Sequence, residues 1–191
     1  MNNMPKPLKY SLFLLALGLI TGFMLAFINS ITEPIIDKRK EDEAKEALQD
    51  YFDYEKYEDV TSEFVNNQKG IDKIYLAFNS DKLVAVIYQT TFLGYGGDVT
   101  SLVGIDATND KFINVYAIDA SQETKNIGSK IIGHDFDIKN ENIKSYTFEI
   151  IVGATYSSNA VKSGVEASKI NYEANKTEWA SRWMIWQKCK I

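Results

Sequence analysis

The sequence is poor in the residues that build metal and thiol centres. It holds one cysteine, Cys189, and one histidine, His134. A single thiol makes no internal disulfide, no iron–sulfur site and no cysteine-based zinc site, and a single imidazole makes no histidine cluster. His134, beside Asp135, reads as an ordinary surface-loop histidine. No Gly-x-Gly-x-x-Gly nucleotide fingerprint occurs, and no nucleophile–base pair stands out. Low-complexity tracts are absent. Every one of the 26 acidic residues lies beyond Asn29, where 19 of the 21 basic residues (all but Lys6 and Lys9) leave a net charge of −7. That balance argues against nucleic acid as a partner.

Charge is missing altogether from residues 11–31. A bilayer-spanning helix needs about 20 apolar residues, and a signal-peptide core only about 7–15. The run is too long for the second, and no cysteine directly follows it to take a lipid. It predicts a single uncleaved transmembrane helix, so membrane lipid is one expected partner. Gly18 and Gly22 have the spacing of a helix-packing motif, and they serve either a partner helix or merely a lipid face. Lys38, Arg39, Lys40 and Lys45 outnumber the two lysines before the span, which by the positive-inside rule would keep the large domain in the cytoplasm. Acids are interspersed among them, and large domains cross despite such charges. Charge alone leaves the side open.

At 191 residues and 45% hydrophobic content, one compact domain plus an appendage is expected. The divisions predicted are 1–31 for the N-terminal segment and span, 32–54 for a connecting helix and 55–191 for the domain. Thr32-Glu33-Pro34 reads as a helix start, and Ala44, Ala47, Leu48, Tyr51 and Phe52 come after it at helical spacing. Residues 54–69 read as irregular connection. Strands are predicted at 71–78 and 82–91, joined by Asn79-Ser80-Asp81, and at 99–106 and 112–119. After a polar loop with one helical turn near 129–132, a fifth strand is predicted at 147–152. Helices are expected next over 157–170 and 172–190, the second with Trp179, Trp183 and Trp186 as a core-packing stripe. The fold class is α+β, an antiparallel sheet covered by helices.

The fifth predicted strand leads into Gly153-Ala154-Thr155-Tyr156-Ser157-Ser158. Strand, small-residue turn and helix start place free N–H groups and a positive dipole end at one spot, which suits a phosphate. Gly and Ala let a ligand approach the backbone. Such residues more often serve as a plain turn and helix cap, so the physics alone leaves both uses open.

The same stretch resembles the flavinylation motif of FMN-binding domains, Asp-x-x-Ser-Gly-Ala-Thr. Gly153, Ala154 and Thr155 match it, while Glu149 stands for Asp and Val152 for Ser. The rest of the chain is similar to the G subunits of Rnf electron-transport complexes. It shares a span ending in Asn29-Ser-Ile-Thr-Glu-Pro34, a Gly94-Tyr95-Gly96-Gly97 turn, and a strand with Val103-Gly104-Ile105-Asp106. It also has Glu123-Thr124-Lys125-Asn126-Ile127-Gly128 where that family has Glu-Thr-Pro-Gly-Leu-Gly. The motif-bearing subunits of sodium-translocating NADH:quinone reductases are related but usually longer. The resemblance implies FMN joined through its phosphate to Thr155 by a flavin transferase. It implies a flavin site that also includes Gly153, Ala154, Tyr156, Ser157, Ser158, Glu123, Thr124, Gly128 and Tyr95, with no catalytic residue and no metal. It further implies an electron-relay subunit in an ion-translocating ferredoxin:NAD oxidoreductase, in contact with other Rnf subunits and not catalytic alone. The domain is then expected outside the cytoplasmic membrane. Two other functions stay open, a flavin domain of another extracytoplasmic reductase and a non-redox domain binding a ligand or partner.

Overall fold

Two tight reversals set the sheet. At the first, Ser80 and Asp81 both take positive φ, 48° and 63°, the backbone whose twist suits a two-residue hairpin. At the second, Asp106 ties the turn by accepting hydrogen bonds from Thr108 and Asn109. In the computed structural model, which describes residues 5–65 and 68–188, these hairpins belong to a five-stranded sheet. Its strands are β1 (Lys56–Asp59), β2 (Ile71–Asn79), β3 (Lys82–Leu93), β4 (Asp98–Asp106) and β5 (Lys111–Asp119). Their order is β1-β2-β3-β4-β5, every pairing antiparallel. With helices α1 (Lys6–Tyr51), α2 (Thr61–Phe64) and α3 (Thr155–Lys188), the architecture is α+β.

The chain divides into two compact units, Met1–Lys45 and Glu46–Ile191. The first contains one helical stretch, Pro7–Ile36, long and apolar enough to cross a membrane, with its side chains exposed. In the second, both faces of the sheet are covered. Val161, Val165 and Tyr172 of α3 pack with Leu76, Tyr88, Val103 and Val115. A Cβ on Gly164 would lie 2.3 Å from Thr90 Oγ1, so glycine there lets the helix backbone settle onto β3. On the opposite face Leu48 and Phe52 pack with Tyr75, Ile87 and Leu102. Gly104 makes room for the Phe52 ring, which would stand 2.4 Å from an added Cβ. The domain's compact unit therefore begins at Glu46, ahead of residue 55.

Four expectations are corrected. Residues 147–152 are not a strand, because the outer edge of β5 is already occupied. Single bridges join Lys111 to Asn142 and Ala117 to Ile132 there, and Phe112 exchanges backbone hydrogen bonds with Asn140 and Glu141. The fifth strand is β1, within the stretch expected to be irregular. Its Lys-Tyr-Glu-Asp sequence carries little strand signal, and pairing with β2 creates it. Thr32-Glu33-Pro34 does not begin a helix; α1 runs through it with Pro34 inside. The two C-terminal helices are one, for neither proline nor glycine stands at the expected break. Asn171, at that point, is buried and donates to the Phe64 carbonyl at 2.8 Å. Trp179 lies in the core against Phe64, ring centroids 4.2 Å apart. Cys189 and the side chains of Trp183 and Trp186 lie outside the described residues.

Candidate functional site

Ala154 donates its backbone N–H to the Ile151 carbonyl at 3.0 Å, closing a four-residue turn with Gly153 at φ 86°. That combination is a type II turn, and its third position wants glycine. The next residue, Thr155, opens α3. The hydroxyls after it serve the fold. Ser158 is fully buried and its Oγ accepts the Ile151 N–H at 3.2 Å. Ser157 Oγ donates to Glu123 Oε2 at 2.6 Å. Thr155 is exposed, and among the described residues its hydroxyl has no hydrogen-bond partner.

Glu123 is the centre of the arrangement. It is 6% exposed, and its Oε1 accepts the Gly96 N–H at 3.1 Å. A Cβ on Gly94 would come within 2.1 Å of Oε1, and one on Gly128 within 2.2 Å of Oε2. A Cβ on Gly97 would meet Gln122 Oε1 at 2.0 Å. The Gly94–Gly97 turn, the 3₁₀ turn at Gly128–Ile131 and the start of α3 thus close around one carboxylate, and its glycines permit the approach.

Above this carboxylate lies a cavity of about 600 Å³, within the ~300–1,000 Å³ typical of small-molecule sites. Glu123, Thr124 and Gly128 line it from the loop after β5, and Gly153, Ala154, Thr155, Tyr156 and Ser157 from the turn and the start of α3. Tyr95 faces Tyr156 with ring centroids 5.8 Å apart. Nine of the ten residues expected in the site therefore line one cavity. Ser158 does not; its hydroxyl is spent on the turn. Ile127 also lines it, marked in the sequence only as the apolar position of the loop that ends at Gly128. Lys125 and Lys130 are exposed and are not lining residues. Among the described residues no cluster suited to a metal ion is found.

His134 is half-buried, its ring edge-on to Phe136 at 4.9 Å. Its Nε2 stands 3.9 Å from a carboxylate oxygen of Glu149, the acid of the motif, and among the described residues has no hydrogen-bond partner.

Residues 94–168 match the FMN-binding domain family. The match spans every lining residue, from the turn after β3 to the middle of α3. Among curated proteins, none matches the chain. The cavity fits FMN on its own terms: small residues and unpaired helix-start N–H groups at one side for a phosphate, and Tyr95, Ile127 and Tyr156 as apolar surface for a ring system.

Proposed function

We propose that the chain is a membrane-anchored flavoprotein that carries FMN as a phosphoester on Thr155 and relays electrons within a larger assembly of the Rnf type. The observation that carries the reading is the Thr155 hydroxyl. It is exposed and unpartnered at the start of α3, on the rim of the cavity, while the neighbouring serine hydroxyls are engaged. Attachment requires a flavin transferase with a flavin dinucleotide as donor. The bond from Thr155 Oγ to the phosphorus of the flavin half forms, the pyrophosphate bond breaks, adenosine monophosphate leaves and the hydroxyl proton passes to base. No electrons change hands. Bound FMN exchanges electrons one or two at a time, linking one-electron to two-electron carriers. The protein's part is to hold the phosphate at the helix start, place the ring against Tyr95, Ile127 and Tyr156, and leave that wall open to a donor and an acceptor.

Gel fluorescence of the denatured chain, made with a flavin transferase, tests the linkage. The yellow emission should survive denaturation and vanish in Thr155→Ala; emission that washes away from the wild type would show a non-covalent site. The relay reading predicts bleaching by dithionite with negligible NADH turnover by the chain alone. Rapid catalytic NADH oxidation would favour a free-standing reductase.

We further propose that the domain lies outside the cytoplasmic membrane, and that the full assembly passes electrons between ferredoxin and NAD and couples this to ion movement. Protease added to intact spheroplasts should digest the domain. Protection until lysis would put it on the inner side.

A further inference from the structure

Residues 146–152 have no strand to pair with, though the first four of them alternate in burial as a strand's do. Tyr146 and Phe148 turn inward, the first edge-on to Phe112 at 4.9 Å and the second stacked on Phe136 at 4.9 Å. Thr147 and Glu149, between and beyond them, are exposed, the two-residue period of a half-buried strand. Yet among the described residues, Ile151 is the one member of this run whose backbone groups hydrogen-bond within the protein. It donates to Ser158 Oγ and accepts from Ala154. The N–H and C=O groups of the other six residues are left over. A row of such groups beside side chains anchored at alternate positions is a template for an added strand.

The run ends in the turn that presents Thr155. Whatever esterifies that hydroxyl must hold the chain still while bringing a phosphorus atom to Thr155 Oγ. Backbone pairing a few residues upstream supplies such a grip. Glu149, its carboxylate 3.9 Å from His134 but its side chain 59% exposed, still offers a charge to a partner, and Val152, 93% exposed, an apolar knob at the tip of the turn. We infer that the flavin transferase that modifies Thr155 docks by adding a strand of its own along residues 147–150, with a basic side chain opposite Glu149. This rests on the reading that Thr155 carries FMN.

The test uses the full chain with an FAD-dependent flavin transferase, scoring the fraction of Thr155 peptide that carries FMN against time. Proline removes a backbone donor, and Thr147→Pro and Ile150→Pro lie on opposite phases of a strand, so one of them removes a donor that faces the partner. Neither breaks an internal hydrogen bond, so both should keep the wild-type melting temperature. One should slow attachment by about tenfold or more, the equivalent of about 1.4 kcal/mol. Two folded proline variants modified at the wild-type rate would overturn strand addition while leaving the flavin site intact. A wild-type chain that stays unmodified would instead overturn the reading of Thr155. Should the prolines unfold the domain, amide exchange decides. Residues 147–150 of the wild type should exchange more slowly with the transferase present and FAD withheld, and unchanged exchange would sink the proposal.

Discussion

The Ser157 hydroxyl and the Glu123 carboxylate meet at 2.6 Å inside the domain, joining the first turn of α3 to a loop 34 residues earlier in the chain. The other oxygen of the same carboxylate holds the Gly96 N–H. One buried side chain therefore fixes three segments of the cavity wall. Glu123→Ala would leave Ser157 and Gly96 without partners and open a void among Gly94, Gly128 and Ser157. A loss of about 2–3 kcal/mol is expected, from unpaired donors near a buried charge site. Urea unfolding measures it, and an unchanged midpoint would show that the carboxylate holds nothing in place.

Gly164→Ala tests the seating of α3. Its Cβ would stand 2.3 Å from Thr90 Oγ1 and 3.1 Å from Ser101 Oγ, in a layer where these two hydroxyls already pair at 3.0 Å. Alanine favours helix by about 1 kcal/mol over glycine, but overpacking a buried contact costs about 1–3 kcal/mol. The net effect should be a lower melting temperature. A rise would mean that the helix shifts outward without penalty.

Asp106 predicts an acid-side dependence. Burial pushes its carboxyl up, but hydrogen bonds from Thr108 and Asn109 outweigh burial and hold it below its ordinary 3.8. A folded value below the unfolded one contributes stability above pH 3.8, lost as pH falls through the folded value. Asp106→Asn should cost about 0.5–1.5 kcal/mol at neutral pH. The gap to wild type should close in that acid window. A gap independent of pH would refute the assignment.

Three tyrosines predict the alkaline limb. Burial raises Tyr88, Tyr146 and Tyr172 above 10.0; Glu166 adds to the effect at Tyr146, and Asp110, 3.0 Å from the Tyr172 hydroxyl, at Tyr172. With folded values above the unfolded ones, their contribution is complete below pH 10.0 and is lost as pH rises through the folded values. Ultraviolet titration of the folded domain should show these three ionising above the ordinary tyrosine value of 10.0. Uniform titration of all tyrosines near their ordinary value would contradict the packing.

Where local pattern and tertiary structure agree, the fold was readable. Asn79-Ser80-Asp81 announced its hairpin because two consecutive residues tolerant of positive φ separated two apolar runs. Residues 147–152 misled for the opposite reason. Their β-branched, apolar sequence is that of a strand, yet whether a strand joins a sheet depends on a free edge, and residues 132 and 140–142 had taken it. Lys56–Asp59 is the converse, a strand without a strand's composition. The cavity residues were named through the resemblance rather than through local pattern, and the structure gives the reason for glycines among them, since a tight approach to Glu123 demands residues without a Cβ. Ile127 was not picked out, because one apolar residue in a polar loop has no period to mark it. The serines looked alike in sequence, and only the packing showed that Ser157 binds Glu123 while Ser158 braces the turn.

The cavity's aromatic wall is open: Tyr95 is 72% exposed and Tyr156 67%. For a freely exchanging ligand so shallow a seat would mean weak retention. A ligand tethered at Thr155 escapes that constraint, because its effective concentration at the wall is in the millimolar range or above, as for any short linker. The seat then has only to orient the ring. On the proposed linkage affinity and accessibility would no longer compete, and the face that would otherwise be buried to secure the flavin would be left free for the proteins proposed to exchange electrons with it.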